Sequence, residues 1–125
     1  MIRVFEPRIS VIDKLNVLKS LNKNLISGTS PEIEKFETLY AKKFNMKFAV
    51  AVSSGSAALD LALQNVNLKN GDEVILPSFT IVSCLSAVLR AGCKPVFCDV
   101  DKDSWNMRLE DVEKVVTPKT KAVLM

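Results

Sequence analysis

The stretch "AVAVSSGSAALDLAL", residues 49–63, decides the fold. Four apolar residues run into Ser53, Ser54, Gly55 and Ser56, and a helix-forming run follows at once. In a parallel α/β sheet, ligands bind beyond the carboxyl ends of the strands. Residues 53–56 are expected at such an end. They also stand at the start of a helix, whose free N–H groups and dipole attract anions. Gly55 lets backbone approach a ligand closely, and Ser54 and Ser56 add hydroxyl donors. The pattern suits a phosphate. The same residues also read as a plain turn and helix cap, worth ~1 kcal/mol to the helix. The loop is neither a Walker motif nor the Gly-x-Gly-x-x-Gly fingerprint.

Working outward, apolar strands and helices alternate. Residues 48–52, "FAVAV", read as a strand and residues 56–66 as a helix. A turn at "NGD" precedes a strand over Glu73–Leu76, which Pro77 ends. A helix over 80–92 closes at Gly92, suited to a left-handed cap. A strand over 94–100, a helix over 108–116 and a strand over 121–125 complete the series. The strands are continuous apolar runs, which predicts burial on both faces. The fold class is therefore α/β, a three-layer α/β/α arrangement with a mostly parallel sheet. Ahead of it, residues 10–21 place Val11, Leu15 and Leu18 on one helical face, with Ile12 beside them. The run "SPEIEKFETLYAKKF" reads as a helix capped by Ser30, with Pro31 in its first turn and an Ile33, Phe36, Tyr40, Phe44 stripe.

Composition narrows the function classes. The chain has 125 residues, 48% hydrophobic and 25% charged, with 17 basic and 14 acidic side chains. The charges are interspersed, which argues against a nucleic-acid arm or a polybasic membrane anchor. No apolar stretch approaches a membrane span. The start, "MIRVFEPRIS", carries an acid and a proline where a secretory signal needs an apolar core, so the expected location is cytoplasmic. Cys84, Cys93 and Cys98 form no C-x-x-C pair and read as reduced, buried residues. There is no histidine, which removes Ser-His-Asp and Cys-His chemistry and the usual zinc sites; no metal is expected.

Four blocks in order, "SGSAAL", "GDEVILPSFT", "AGCKPVFCDVD" and "TPKTKA", resemble the DegT-type nucleotide-sugar aminotransferases. The resemblance covers roughly residues 26–125. These are pyridoxal 5'-phosphate (PLP) enzymes of fold type I. It implies that the loop phosphate is that of PLP, held by Ser54, Gly55 and Ser56. In relatives an aromatic residue just after the "PSFT" block stacks on the cofactor ring; here that position is Ile81, a departure that leaves an aliphatic face. Ile81 also reads as ordinary core. Ser27, Gly28 and Thr29 match a segment that shapes the substrate pocket in relatives, and each also reads as loop and cap. The implied division is residues 1–30, an N-terminal helix and loop, and 31–125, the first part of the PLP-binding domain. Asp99 and Asp101 look like strand-end and turn residues.

The resemblance implies amino transfer from an amino-acid donor, usually glutamate, to a nucleotide-linked keto sugar, by a homodimer. Transamination needs a lysine joined to the cofactor and an acid beside the pyridine nitrogen. None of the lysines here stands in the family's lysine context, and no catalytic residue is assigned. The chain stops at Met125 inside an expected strand, so it reads as the front portion of a larger protein. An inactive fragment or binding module, and a PLP-dependent sugar dehydratase, are the alternatives.

Overall fold

The computed structural model describes residues 5–125; Met1 and the three residues after it lie outside the described part. The chain divides into two compact units, one up to Ala51 and one from Val52 to Met125.

The first unit holds α1 (Val11–Asn22) and α2 (Pro31–Lys43). Ser10 starts α1 with a reciprocal cap: its hydroxyl oxygen accepts the Asp13 N–H, and the Asp13 carboxylate accepts the Ser10 N–H. Ser30 caps α2 by accepting the Glu32 N–H, and Pro31 occupies the first turn. The stripe on α2 becomes a ladder of rings, with centroids 5.5 Å apart for Phe36 and Tyr40 and 4.6 Å apart for Tyr40 and Phe44. These rings remain about half exposed, and no residue of α1 is buried. Both helices form as expected, but their apolar faces stay open.

The second unit begins with α3 (Gly55–Gln64), then β1 (Glu73–Pro77), α4 (Val82–Arg90), β2 (Lys94–Cys98), α5 (Leu109–Val115) and β3 (Thr120–Val123). The sheet is parallel, in the order β2-β1-β3, and an irregularity between Glu73 and Val74 shifts the β1–β3 register. Val74, Ile75 and Leu76 of β1 are fully buried. Successive side chains point to opposite faces, so both faces of β1 are covered, as the unbroken apolar run predicts. Val74 packs with Leu63 of α3, Ala87 and Val88 of α4, and Cys93.

Residues 48–52 depart from the expectation: they form no strand. An apolar run becomes a strand only where a neighbour completes its ladder. Among the described residues this run has no ladder of its own, and Phe48 and Val50 are largely exposed. Gly92 behaves as expected. It lies at φ +72°, its N–H donates to the Leu89 carbonyl and the Cys93 N–H donates to the Val88 carbonyl, the paired bonds of a left-handed helix stop.

Glu73 ties the sheet together at the amino ends of its strands. Its buried carboxylate accepts the Thr117 hydroxyl at 2.6 Å and the Lys94 ammonium at 3.1 Å. These donors, Thr117 first, hold its carboxyl below the usual carboxylate range. A depressed folded-state pKa stabilises the fold above the unfolded value of about 4.3, and that stability is lost as pH falls through the folded value. Glu73→Gln is therefore expected to melt below the native chain at pH 7, with the gap closing as acid is added. Thermal melts from neutral pH down to about pH 3 measure this, and a gap independent of pH would remove the carboxylate's role.

Candidate functional site

The helix α3 starts at Gly55, where the loop reading places it. Ser54 is its cap: the Ser54 hydroxyl oxygen accepts the Ala57 N–H at 3.2 Å, and its carbonyl accepts the Ala58 N–H at 3.0 Å. Among the described residues, the Gly55 and Ser56 N–H groups and the Ser56 hydroxyl have no partner in the chain. A helix start with two open amides carries positive potential. A Cβ built on Gly55 would meet nothing within 4 Å, so the space above this turn is clear.

That space is a cavity of about 600 Å³, lined by Gly55, Ser56, Ala58, Leu59 and Ala62 from the α3 side and by Ile81 and Ser83 from the start of α4. Three sequence-predicted residues, Gly55, Ser56 and Ile81, come together there. Ile81 is 69% exposed, so it is not a core residue. Ser54 is not among the lining residues. Its oxygen serves α3, which narrows the open amides expected from this loop to those of Gly55 and Ser56. The small residues Gly55, Ala58 and Ala62 leave room, and Leu59 and Ile81 supply apolar walls. No lysine, aspartate or glutamate lines the cavity.

Ser27, Gly28 and Thr29 form a self-contained turn in the first unit. The Ser27 and Thr29 hydroxyls lie 3.0 Å apart, the Thr29 N–H donates to the Ser27 hydroxyl, and the Ser30 N–H donates to the Ser27 carbonyl. Asp99 and Asp101 do the work of turn residues. Asp99 accepts the Ser78 hydroxyl and the Val100 N–H. Asp101 accepts the Ser104 and Asp103 N–H groups, which hold its carboxyl below its usual range. This tight loop holds Trp105 at φ +59°, with its ring 4.7 Å from that of Phe79. Sequence reasoning passed over Trp105 and Ser83, since neither falls in a motif. The three cysteines are unpaired, and burial raises the Cys93 and Cys98 thiols above their usual range.

Set beside known proteins, residues 8–125 match the profile of the DegT/DnrJ/EryC1/StrS aminotransferase family. The chain belongs to this family. Among its DegT-family relatives, GDP-perosamine synthase from Escherichia coli O157:H7 is 36% identical over 98% of this chain and 34% of its own length. An aminotransferase structure from Psychrobacter cryohalolentis superposes with a TM-score of 0.84 at 36% identity, over 94% of this chain and 30% of that one. The Escherichia coli GDP-4-keto-6-deoxy-D-mannose-3-dehydratase with bound hydrated PLP also reaches 0.84, at 27% identity, over 94% of this chain and 32% of that one. The DegT-type resemblance read from the four sequence blocks is therefore borne out, and so is the α/β fold class: the neighbours are fold type I enzymes. The chain spans about a third of the length of the curated relatives it matches. Among the described residues, no helix is long and apolar enough to cross a membrane.

Proposed function

We propose that this chain is the phosphate-holding part of a PLP-dependent enzyme that transfers an amino group from an amino acid, glutamate in the first instance, to a nucleotide-linked keto sugar. One observation carries the reading: Gly55 and Ser56, with open amides at the start of α3, share a cavity with Ile81. The residues fit the cofactor. A phosphate needs several donors and no competing carboxylate, and the cavity offers amides and hydroxyls with no acid among its lining residues. An aromatic ring needs an apolar wall, which Ile81 and Leu59 supply.

When bound, PLP supplies an electron sink for amino transfer. The chain's own residues anchor and orient. Gly55 and Ser56 would donate to the phosphate, and Ser54 keeps the α3 start in shape by holding the Ala57 N–H. Ile81 would give the ring an apolar wall. None of the lining side chains has a pKa suited to moving a proton near neutral pH. The 125 residues alone are therefore expected to bind without turnover.

The test is an assay of the protein that carries this chain, given PLP, glutamate and a nucleotide-linked 4-keto sugar. The expected products are 2-oxoglutarate and an amino sugar. Loss of water from the sugar with no nitrogen gained would favour the dehydratase reading, which the second superposition at 0.84 keeps in play. The higher identity to GDP-perosamine synthase and to the Psychrobacter aminotransferase supports amino transfer.

The reading extends to assembly and location. The apolar faces of α1 and α2 are open, the kind of surface that a second copy would cover in a homodimer. Light scattering on the protein carrying the chain is expected to give twice that protein's subunit mass, and a strict monomer at high concentration would count against it. Three unpaired cysteines suit a reducing cytoplasm.

A further inference from the structure

We propose that Ser83 is a further phosphate-anchoring residue, a hydroxyl given by α4 to the same phosphate that Gly55 and Ser56 hold from α3. This rests on the reading that the cavity takes the phosphate of PLP. Ser56 and Ser83 bear the only polar side chains among its lining residues. Two neighbouring hydroxyls already donate elsewhere, Ser78 to Asp99 and Thr80 to the Cys84 sulfur, and Ser54 does not line the cavity. Ser56 and Ser83 have no hydrogen bond within the chain among the described residues. Ser83 is partly buried beside Ala62, Leu59 and Ile81. A hydroxyl removed from water in apolar surroundings gains most from a ligand that accepts its proton.

The start of α4 points the same way. Ile81 stands at its cap position and makes no side-chain cap bond. The Cys84 N–H donates to the Ile81 carbonyl, while the Val82 and Ser83 N–H groups have no partner among the described residues. Two helix starts with unfilled donors therefore border one cavity. A phosphate monoester carries three strong acceptor oxygens. The α3 side supplies two amides and one hydroxyl, which leaves acceptor capacity for a donor from α4.

The test uses pyridoxine 5'-phosphate and pyridoxine as probes. Neither has an aldehyde, so neither joins covalently to surface lysines. Titration calorimetry on the purified chain gives both affinities for the native protein, Ser83→Ala, Ser83→Thr and Ser56→Ala. Ser83→Ala is expected to weaken the phosphorylated probe about tenfold, the worth of one hydrogen bond to a charged group. Pyridoxine binding should not move, and Ser83→Thr should restore the native value. Ser83→Ala binding as tightly as native, while Ser56→Ala is weakened, would overturn the role of Ser83 alone. Equal loss for both probes would make Ser83 merely structural and overturn it too. A native chain with no preference for the phosphorylated probe would remove the phosphate reading itself, and the proposal with it.

Discussion

Changing Gly55 to Asp is expected to separate binding from folding. Affinity for pyridoxine 5'-phosphate should fall about a hundredfold or more, while the melting temperature holds or rises. The binding loss comes from charge. A carboxylate about 4 Å from a phosphate opposes it by about 4 kcal/mol per unit charge at an effective dielectric of 20. Salt and solvent in an open cavity screen part of this, leaving ~3 kcal/mol, about a hundredfold. The stability gain has two sources. Gly55 is the first residue of α3, its φ is not in the left-handed region, and a Cβ there meets nothing within 4 Å. An L side chain fits, and replacing glycine stiffens the unfolded chain by roughly 0.4–1 kcal/mol. An acid in the first turn also adds about 0.3–1 kcal/mol against the helix dipole. Calorimetry and a thermal melt on one sample check both. Retained affinity would mean that the phosphate does not sit above this turn.

Leu76→Ala is expected to cost about 2–5 kcal/mol, the range for removing a fully buried leucine from a packed core. A domain is stable by only about 5–15 kcal/mol in total, so the variant should unfold at a much lower denaturant midpoint. Val50→Ala is the informative partner. Both residues lie in apolar runs of similar appearance, yet Val50 is 69% exposed, and its truncation should change the stability by less than about 0.5 kcal/mol. Urea titrations of the two variants measure the contrast. Equal losses would mean that residues 48–52 are as well packed as β1.

That contrast marks where the sequence is legible. Three of the four expected strands, and every expected helix, stand within a few residues of their predicted bounds, because capping residues and apolar spacing are local signals. Ser30 and Pro31 announce α2, and Gly92 ends α4. A strand is not a local object. "FAVAV" has a strand's composition, but its fate depends on a neighbour that spacing does not reveal. The site follows the same division. Gly55, Ser56 and Ile81 stood in recognisable blocks, and the structure gathers them around one cavity. Ser54 looked like a third donor, but it caps α3 by accepting the Ala57 N–H and does not line the cavity. Ser83 carried no signal: two residues past Ile81 in a helical run, it matters only because α3 and α4 pack side by side. Their alignment is fastened on the surface by Arg90, which reaches Asp60 at 2.8 Å.

The strand order carries a consequence for how the chain comes to be folded. β1 is the middle strand, yet it is the first to be made. Its Glu73 finds Lys94 after one helical crossover, but waits until Thr120 for its second neighbour. Closing that longer loop costs chain entropy before any contact offsets it. During synthesis there is thus an interval in which the most apolar strand has one flank unpaired, open to the strands of other nascent copies. β3 ends the interval, when the Leu124 N–H reaches the Ile75 carbonyl at 2.8 Å. Pauses in translation just before residue 120 should therefore favour aggregation, and pauses after residue 125 has cleared the ribosome should not.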